Sequence, residues 1–432
     1  MIVSACVSVL LMVMIALGFE IFLALGVAGA LGIVIAKGTH MLVLATTSFY
    51  GQLDVFEMIA LPLFILMGHV LSKTPIGKDL FQAASNWLAW LPGGLAVASV
   101  GACTIFGAVS GASVAGVAAI GSLAVPEMTK RGYSVQIAAG SVVTAGALAM
   151  LIPPSIPFII YSAITGESVA KLFIGGIVPG LVMALFLSLY IIISVLINPK
   201  LAPEADDIRA TWTQRFVSLG KIWHALVLII LVLGSIYTGI ATPTEASAVG
   251  VAGAFIIAGV VYRILDVRST LGILKDSLKI SCAILMIMGS AKIFGDFLNM
   301  VRVPQLLSEY LLGLNLPNAM VLLVIQALLI VLGMFVDAAS LMVVTTPILL
   351  PLIVGMGYDP LWFGIVLVIN LELAVVTPPV GLNLYTLRGV CPFLSIEEII
   401  RSSIPFLLVQ LAALILFTLV PGLSLWLPSF IR

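Results

Sequence analysis

Leu151-Ile-Pro-Pro-Ser-Ile-Pro157 interrupts one long apolar run and Val376-Thr-Pro-Pro-Val-Gly-Leu-Asn383 interrupts another, with the two Pro-Pro pairs 225 positions apart. Two adjacent prolines remove two backbone donors and cannot sit in a helix interior. The residues before them, Ile152 and Thr377, are pushed toward extended backbone. Each stretch should therefore be unwound, with carbonyls left free. Lipid offers no hydrogen bonds, so such a break must line a protein site or cavity. Free carbonyls, the hydroxyls of Ser155 and Thr377 and the amide of Asn383 suit a hard cation such as sodium. The helix restarting after each break presents its positive N-terminal end, which suits a carboxylate. One Pro-Pro alone reads equally well as a kink; two at matched positions, each beside hydroxyls, read as a site.

The surrounding composition says what solvent these breaks sit in. Of 432 residues, 62% are hydrophobic and 9% charged, against about 45–50% and about 25% in a soluble domain. That much apolar surface needs a lipid bilayer, which excludes a soluble enzyme, a nucleic-acid binder and a disordered scaffold. The 19 basic and 19 acidic residues cancel, so net charge points to no polyanionic partner. Cys6, Cys103, Cys282 and Cys391 show no paired spacing for disulfides or zinc. The N-terminus lacks the basic n-region and cleavage site of a signal peptide and reads as a retained first span.

Runs near the roughly 20 residues needed to cross hydrocarbon fall at about 2–17, 19–36, 57–72, 93–127, 134–172, 173–197, 224–240, 246–262, 280–298, 317–354, 361–390 and 403–427. The polar loops are 198–223 and 263–279, with 37–56 mixed in character. The offset that pairs the prolines also carries Pro92 onto Pro317, Pro126 onto Pro351 and Gly132-Tyr133 onto Gly357-Tyr358. The chain therefore reads as two copies of one design. The runs 93–127 and 317–354 are too long for one span and are interrupted midway, so each reads as a re-entrant hairpin. Fourteen basic residues, from Lys73 to Arg401, then fall on one side, Lys37, Lys171, Arg302 and Arg432 opposite, and Lys292 inside a span. The first side is thus cytoplasmic and both termini face outward. Five crossings and one hairpin per half invert the second copy, as in secondary transporters.

The first hairpin breaks at Gly107-Ala-Val-Ser-Gly-Ala-Ser113, and its counterpart near 332–338 carries Asp337. Small residues there also suit plain helix packing, but an intramembrane carboxylate is a functional candidate. Asn370 and Glu372 precede the second break and support it, with a polar packing interface as the alternative for Glu372. Lys292 and Asp296, four apart, form a structural pair. Glu20 and Glu245 occupy near-matching positions without an evident role. Ala108-Val-Ser-Gly111 faintly suggests an intramembrane serine protease, but His40, His69 and His224 lie at span ends and no base reaches mid-membrane. Nucleotide-binding and metalloprotease signatures are missing too. The chain is read as a non-enzyme.

These stretches resemble the large, DctM-like membrane subunit of the TRAP (tripartite ATP-independent periplasmic) transporters. The resemblance is carried by Ala60-Leu-Pro-Leu-Phe-Ile-Leu-Met-Gly68, Leu91-Pro-Gly-Gly-Leu95, Gly107–Ser113, Leu151–Ser155, Gly175-Gly-Ile-Val-Pro-Gly180, Thr242-Pro-Thr-Glu245, Asn370-Leu-Glu372 and Thr377-Pro-Pro-Val-Gly381. Ala112 departs from a more serine-rich run in the family, leaving one hydroxyl fewer at the first tip. The resemblance implies an all-α polytopic elevator-type transporter in the bacterial inner membrane. It implies sodium-driven uptake of an organic acid such as a dicarboxylate or sialic acid, delivered by a periplasmic substrate-binding protein. It also implies a small four-helix membrane subunit on a separate chain.

Carried over by position from that resemblance, Ser110, Gly111 and Ser113 with Pro153, Pro154 and Ser155 would form one sodium site. Asp337 with Thr377, Pro378, Gly381 and Asn383 would form the second. Substrate would lie between the hairpin tips, against Ser113, Ser155, Asp337, Thr377 and Asn383. The expected division has scaffold helices at 1–92, 173–223, 224–316 and 391–432, and transport segments at 93–172 and 317–390. The competing reading is a stand-alone sodium or proton symporter of similar architecture that needs no binding protein.

Overall fold

The computed structural model describes residues 2–203, 210–313 and 316–430, and every regular element among them is helical. Arg209 and Arg432, two of the basic residues that set the orientation above, lie outside the described residues. The first half contains α1 (Ile2–Ala16), α2 (Ile21–Lys37), α3 (Leu42–Leu53), α4 (Ala60–Ser72) and α5 (Ile76–Leu88). It continues through α6 (Gly94–Ser110), α7 (Ser113–Lys130), α8 (Val135–Ala147), α9 (Ile156–Thr165) and α10 (Val169–Ile197). The second half contains α11 (Trp212–Tyr237), α12 (Pro243–Ile256), α13 (Val267–Met300), α14 (Val303–Gly313) and α15 (Asn318–Gly333). It ends with α16 (Ala338–Gly355), α17 (Pro360–Ala374), α18 (Leu382–Val390), α19 (Ile396–Leu419) and the short α20 (Gly422–Leu425).

Helix starts follow local side-chain chemistry. Thr211 with Gln214, Thr242 with Glu245 and Ser395 with Glu398 form capping boxes on α11, α12 and α19. Glu245, without a role in the sequence reading, thus closes the first turn of α12. Apolar residues cover both sides of the long helices. On α10, Leu181, Leu185, Leu189 and Ile193 are exposed while Met183, Leu187, Ile191 and Val195 are buried, the arrangement of a helix with lipid on one face and protein on the other. Among the described residues, six helices are singly long and apolar enough to cross a membrane, and the pair Thr39–Leu53 and Phe56–Ser72, bent by 63°, makes a seventh candidate. The 13 residues of α8 and the 10 of α9 fall short individually, so a crossing there needs both pieces.

Three segments read as loops differ. The mixed stretch 37–56 contains α3, the loop 198–223 contains the start of α11, and 263–279 contains the start of α13 at Val267, capped by Asp266 through Ser269 N. Charged residues such as Arg268 and Lys275 are good helix formers, and a search for apolar runs does not see them. The boundary expected at 173 falls earlier, at Gly166–Ser168, where Gly166 ends α9 and the Ser168 hydroxyl caps α10.

The repeat is visible in the packing. Under the 225-residue offset α2 corresponds to α12 and α4 to α13, and α2 packs on α13 as α12 packs on α4. Likewise α7 corresponds to α16 and α9 to α18, and α7 packs on α18 as α16 packs on α9. The halves are therefore interlocked rather than side by side. Helices α1–α4 and α11–α13 make one body, and the two hairpins (α6–α7, α15–α16) with their broken helices make a second. The arms α5 and α14 touch both. In the stretches 173–197 and 391–432, α10 packs on α6, α8 and α17, and α19 packs on α8, α17 and α10. Small residues draw them there: a Cβ on Gly176 would stand 2.4 Å from the Leu151 carbonyl oxygen, and one on Gly140 2.4 Å from that of Ser402.

Candidate site at the twinned helix breaks

Four helices, α7, α9, α16 and α18, begin at an interruption, so four sets of first-turn N–H groups are released near the breaks. The first tip turns at Gly111 (φ +62), where a Cβ would lie 2.7 Å from the Pro154 carbonyl oxygen. Only glycine combines that left-handed backbone with that closeness. The Pro153-Pro154 and Pro378-Pro379 peptides are both cis. Ser155 donates its hydroxyl to the Met150 carbonyl, closing the turn between α8 and α9. Ser110, the last residue of α6, is buried, and its hydroxyl has no partner. Tip one is thus pressed onto break one, with the Ser110 hydroxyl uncommitted.

The second tip repeats this with different groups. Asp337 caps α16, its Oδ1 accepting from Ser340 N at 3.0 Å. Break two is tied to tip two by Val380 N donating to Met334 O at 3.2 Å. Asp337, Phe335, Val375, Val380 and Gly381 share the lining of a cavity of about 260 Å³. Thr377 donates its hydroxyl to Leu373 O at 2.6 Å, which leaves lone pairs on that oxygen for a cation. Gly381 stands at φ +38, with the Thr377 carbonyl oxygen 3.1 Å from where its Cβ would be.

Asn383 links the two assemblies. Ser113 donates its hydroxyl to Asn383 Oδ1 at 2.5 Å, and Asn383 Nδ2 donates to Val143 O at 3.1 Å. Its own N–H donates to Val375 O at 3.1 Å. Side chain and backbone therefore bridge tip one, α8 and break two, and the N-termini of α7 and α18 are brought together. The grouping read from the sequence placed Asn383 with Asp337; its side-chain contacts instead run to the first hairpin. Asn370 is buried and donates to Gln326 O at 3.0 Å, holding α17 to α15. Glu372 is fully buried and touches none of these groups by hydrogen bond.

The donor set is oxygen-rich and nearly neutral. Among the described residues no three His, Cys, Asp or Glu side chains gather to hold a metal. Hydroxyls, backbone carbonyls and the one carboxylate of Asp337 fit a hard monovalent cation, not a transition metal. The partners that sequence reasoning missed, Met150 O, Val143 O and Met334 O, are backbone carbonyls without a signal in side-chain identity. Lys292 and Asp296 pair at 2.9 Å as expected, and Ser48 completes the group by donating to Asp296 Oδ2 at 2.6 Å.

A family model described as the tripartite ATP-independent periplasmic transporter, DctM component, matches residues 8–423. The C4-dicarboxylate TRAP transporter large permease protein of Vibrio cholerae is 34% identical, over 99% of this chain and 98% of its own length. The isethionate TRAP transporter permease protein DctMQ of Oleidesulfovibrio alaskensis is 36% identical over 94% of this chain, which spans only 65% of that relative. Among solved structures, the Alcanivorax borkumensis YdaH transporter superposes with a TM-score of 0.60 at 17% identity, covering 91% of each chain, a likeness of fold.

Proposed function

Because the chain belongs to the DctM component family of the TRAP transporters, and is thus a multi-pass large permease of the inner membrane, we propose that it carries out sodium-coupled uptake of a small organic acid. The observation that carries the reading is the twinned arrangement itself: each Pro-Pro break rests on its own hairpin tip, and Ser113 with Asn383 joins the pair. Sodium held by Ser110, Gly111, Ser113 and the Pro153–Ser155 turn, and by Asp337 with Thr377, Pro378, Gly381 and Asn383, would fix the tips. The substrate anion would then meet the helix N-termini with the side chains of Ser113, Ser155, Asp337, Thr377 and Asn383. Relatives named for a C4-dicarboxylate and for isethionate, a sulfonate, favour an acidic group of either kind as the common feature.

The hairpin-bearing body would move against the other in an elevator cycle. Support comes from the boundary between them, where Gly68 lets α4 lie against the tip of α6 and Gln52 Nε2 donates to Ala163 O at 3.2 Å. Each sodium ion moving down the membrane potential supplies about 2.3 kcal/mol per 100 mV. A soluble periplasmic protein would deliver substrate, and a small membrane subunit would brace the stationary body, with both chain termini facing the periplasm. The first test is thermal unfolding of the purified chain in matched sodium, potassium and choline salts. A ligand at 100 times its dissociation constant stabilises by about 2.7 kcal/mol per site. A midpoint rise specific to sodium is expected, and equal midpoints in the three salts at saturating concentrations count against the cation sites. Uptake by reconstituted permease without a binding protein would favour a stand-alone symporter instead.

A further inference from the structure

The last turn of α17 holds a titratable side chain that the breaks do not use. Glu372 is fully buried, and neither carboxyl oxygen has a hydrogen-bond partner. It stands three residues before Val375, whose carbonyl accepts the Asn383 N–H, so it sits on the segment that leads into the second break. The elements packed on α17 are α9, α10, α15, α16, α19, α20 and the turn at 148–150. The helices α15, α16 and α20 and that turn contain no charged residue and no tyrosine, and α16 is preceded by Asp337. Helix α9 contributes Tyr161, whose hydroxyl donates to Pro360 O at the opposite end of α17. Helix α10 contributes Lys171 in its first turn and Tyr190; α19 contributes Glu397, Glu398 and Arg401, all within its first six residues. Asp359 is occupied in capping the start of α17.

No cation is therefore bonded to Glu372, and those available stand at helix starts. A bare carboxylate buried without a partner is strongly disfavoured against its protonated form. Among the described residues no second carboxylate is bonded beside it, and the last-turn carbonyls of Leu371, Leu373 and Ala374 already accept from Val375, Val376 and Thr377, so a proton is a better fit to the position than a metal ion.

We propose that Glu372 is a proton-binding site of the hairpin-bearing body, loaded in this arrangement and emptied when sodium binding reorders the 375–381 break. The O–H bond made from water on one side of the membrane is broken to water on the other, so one proton is exchanged per cycle and nothing is oxidised or reduced. This inference rests on the sodium reading above, but the protonation can be read without it. Infrared difference spectra of the full-length protein in liposomes at pH 7, wild type minus Glu372→Gln, should show the carbonyl stretch of a protonated carboxyl. Glu372→Asp should keep such a band, which covers the case in which the glutamine variant fails to fold. A carboxylate band in its place overturns the site. Sodium chloride added to lightly buffered protein should then release about one proton per wild-type chain and none from Glu372→Gln, with choline chloride releasing none from either. A protonated band without release overturns the exchange. Should wild type show neither release nor a sodium-specific rise in thermal midpoint, the sodium reading has failed instead, and the pH 7 band still decides whether Glu372 holds a proton.

Discussion

At Asp337 the carboxylate caps α16 through Ser340 N and supplies the one negative charge among the tip and break residues, and two substitutions separate those duties. Asparagine caps a helix about as well as aspartate, whereas alanine costs about 0.5–2 kcal/mol. Asp337→Asn should keep the thermal midpoint of wild type in choline, and Asp337→Ala should lower it. Both should lose the sodium-specific rise and abolish uptake; an asparagine variant with the full rise would remove Asp337 from the cation site. At Ser113, truncation to alanine leaves buried Asn383 Oδ1 without its donor, at about 1–3 kcal/mol. A double-mutant cycle of Ser113→Ala and Asn383→Ala on the unfolding midpoint should reveal that coupling, and strict additivity would argue against the bond. Residue types at these positions were legible in the sequence. Their partners were not, because Ser113 and Asn383 are 270 residues apart and Val143 contributes only its carbonyl.

Elements were legible to the degree that they are apolar or broken by proline. Both hairpins and both interrupted helices stand where the glycine and proline patterns put them, since those residues act on their own backbone. Helices α3, α5 and α14 and the first halves of α11 and α13 escaped because amphipathic or charged helices do not register as lipid-spanning runs. The bend of 63° between α3 and α4 has a continuous 34-residue counterpart in α13, so matched segments of a repeat need not fold identically. The contact between tip one and break one gives an element-scale prediction. Gly111→Ala forces a non-glycine residue to φ +62 and sets its Cβ 2.7 Å from Pro154 O. Gly132, at φ +86, has nothing within 4 Å and would suffer only the left-handed penalty of about 1–2 kcal/mol. Thermal unfolding should therefore find Gly111→Ala clearly less stable than Gly132→Ala and without a sodium response. Equal midpoints would mean that the tip does not rest on the turn.

For the whole molecule, the two bodies meet along α4 with α6 and α13 with α16, and Gln52 donates across this boundary to Ala163 O. A cysteine pair at 52 and 163, in a chain whose exposed Cys6 and Cys282 have been replaced, should stop uptake when cross-linked and recover it on reduction. Undiminished uptake by the cross-linked protein would exclude sliding along that boundary. If the hairpin-bearing body moves as proposed, the packing of α10 on α6 and of α19 on α8 and α17 would make it carry those two long apolar helices along, leaving α1–α4 and α11–α13 to face a membrane partner.

Membrane residence, the two-copy plan and the location of the four helix interruptions were determined by the sequence alone, because apolar fraction, proline geometry and glycine freedom are local properties that hold whatever the rest of the chain does. Tertiary structure decided how closely tip one presses on break one, where Asn383 points, and that α10 and α19 pack against α8 and α17. Those outcomes depend on close approach at Gly111, Gly140 and Gly176 between segments far apart in the chain, and complementarity of that kind exists only once the helices have packed.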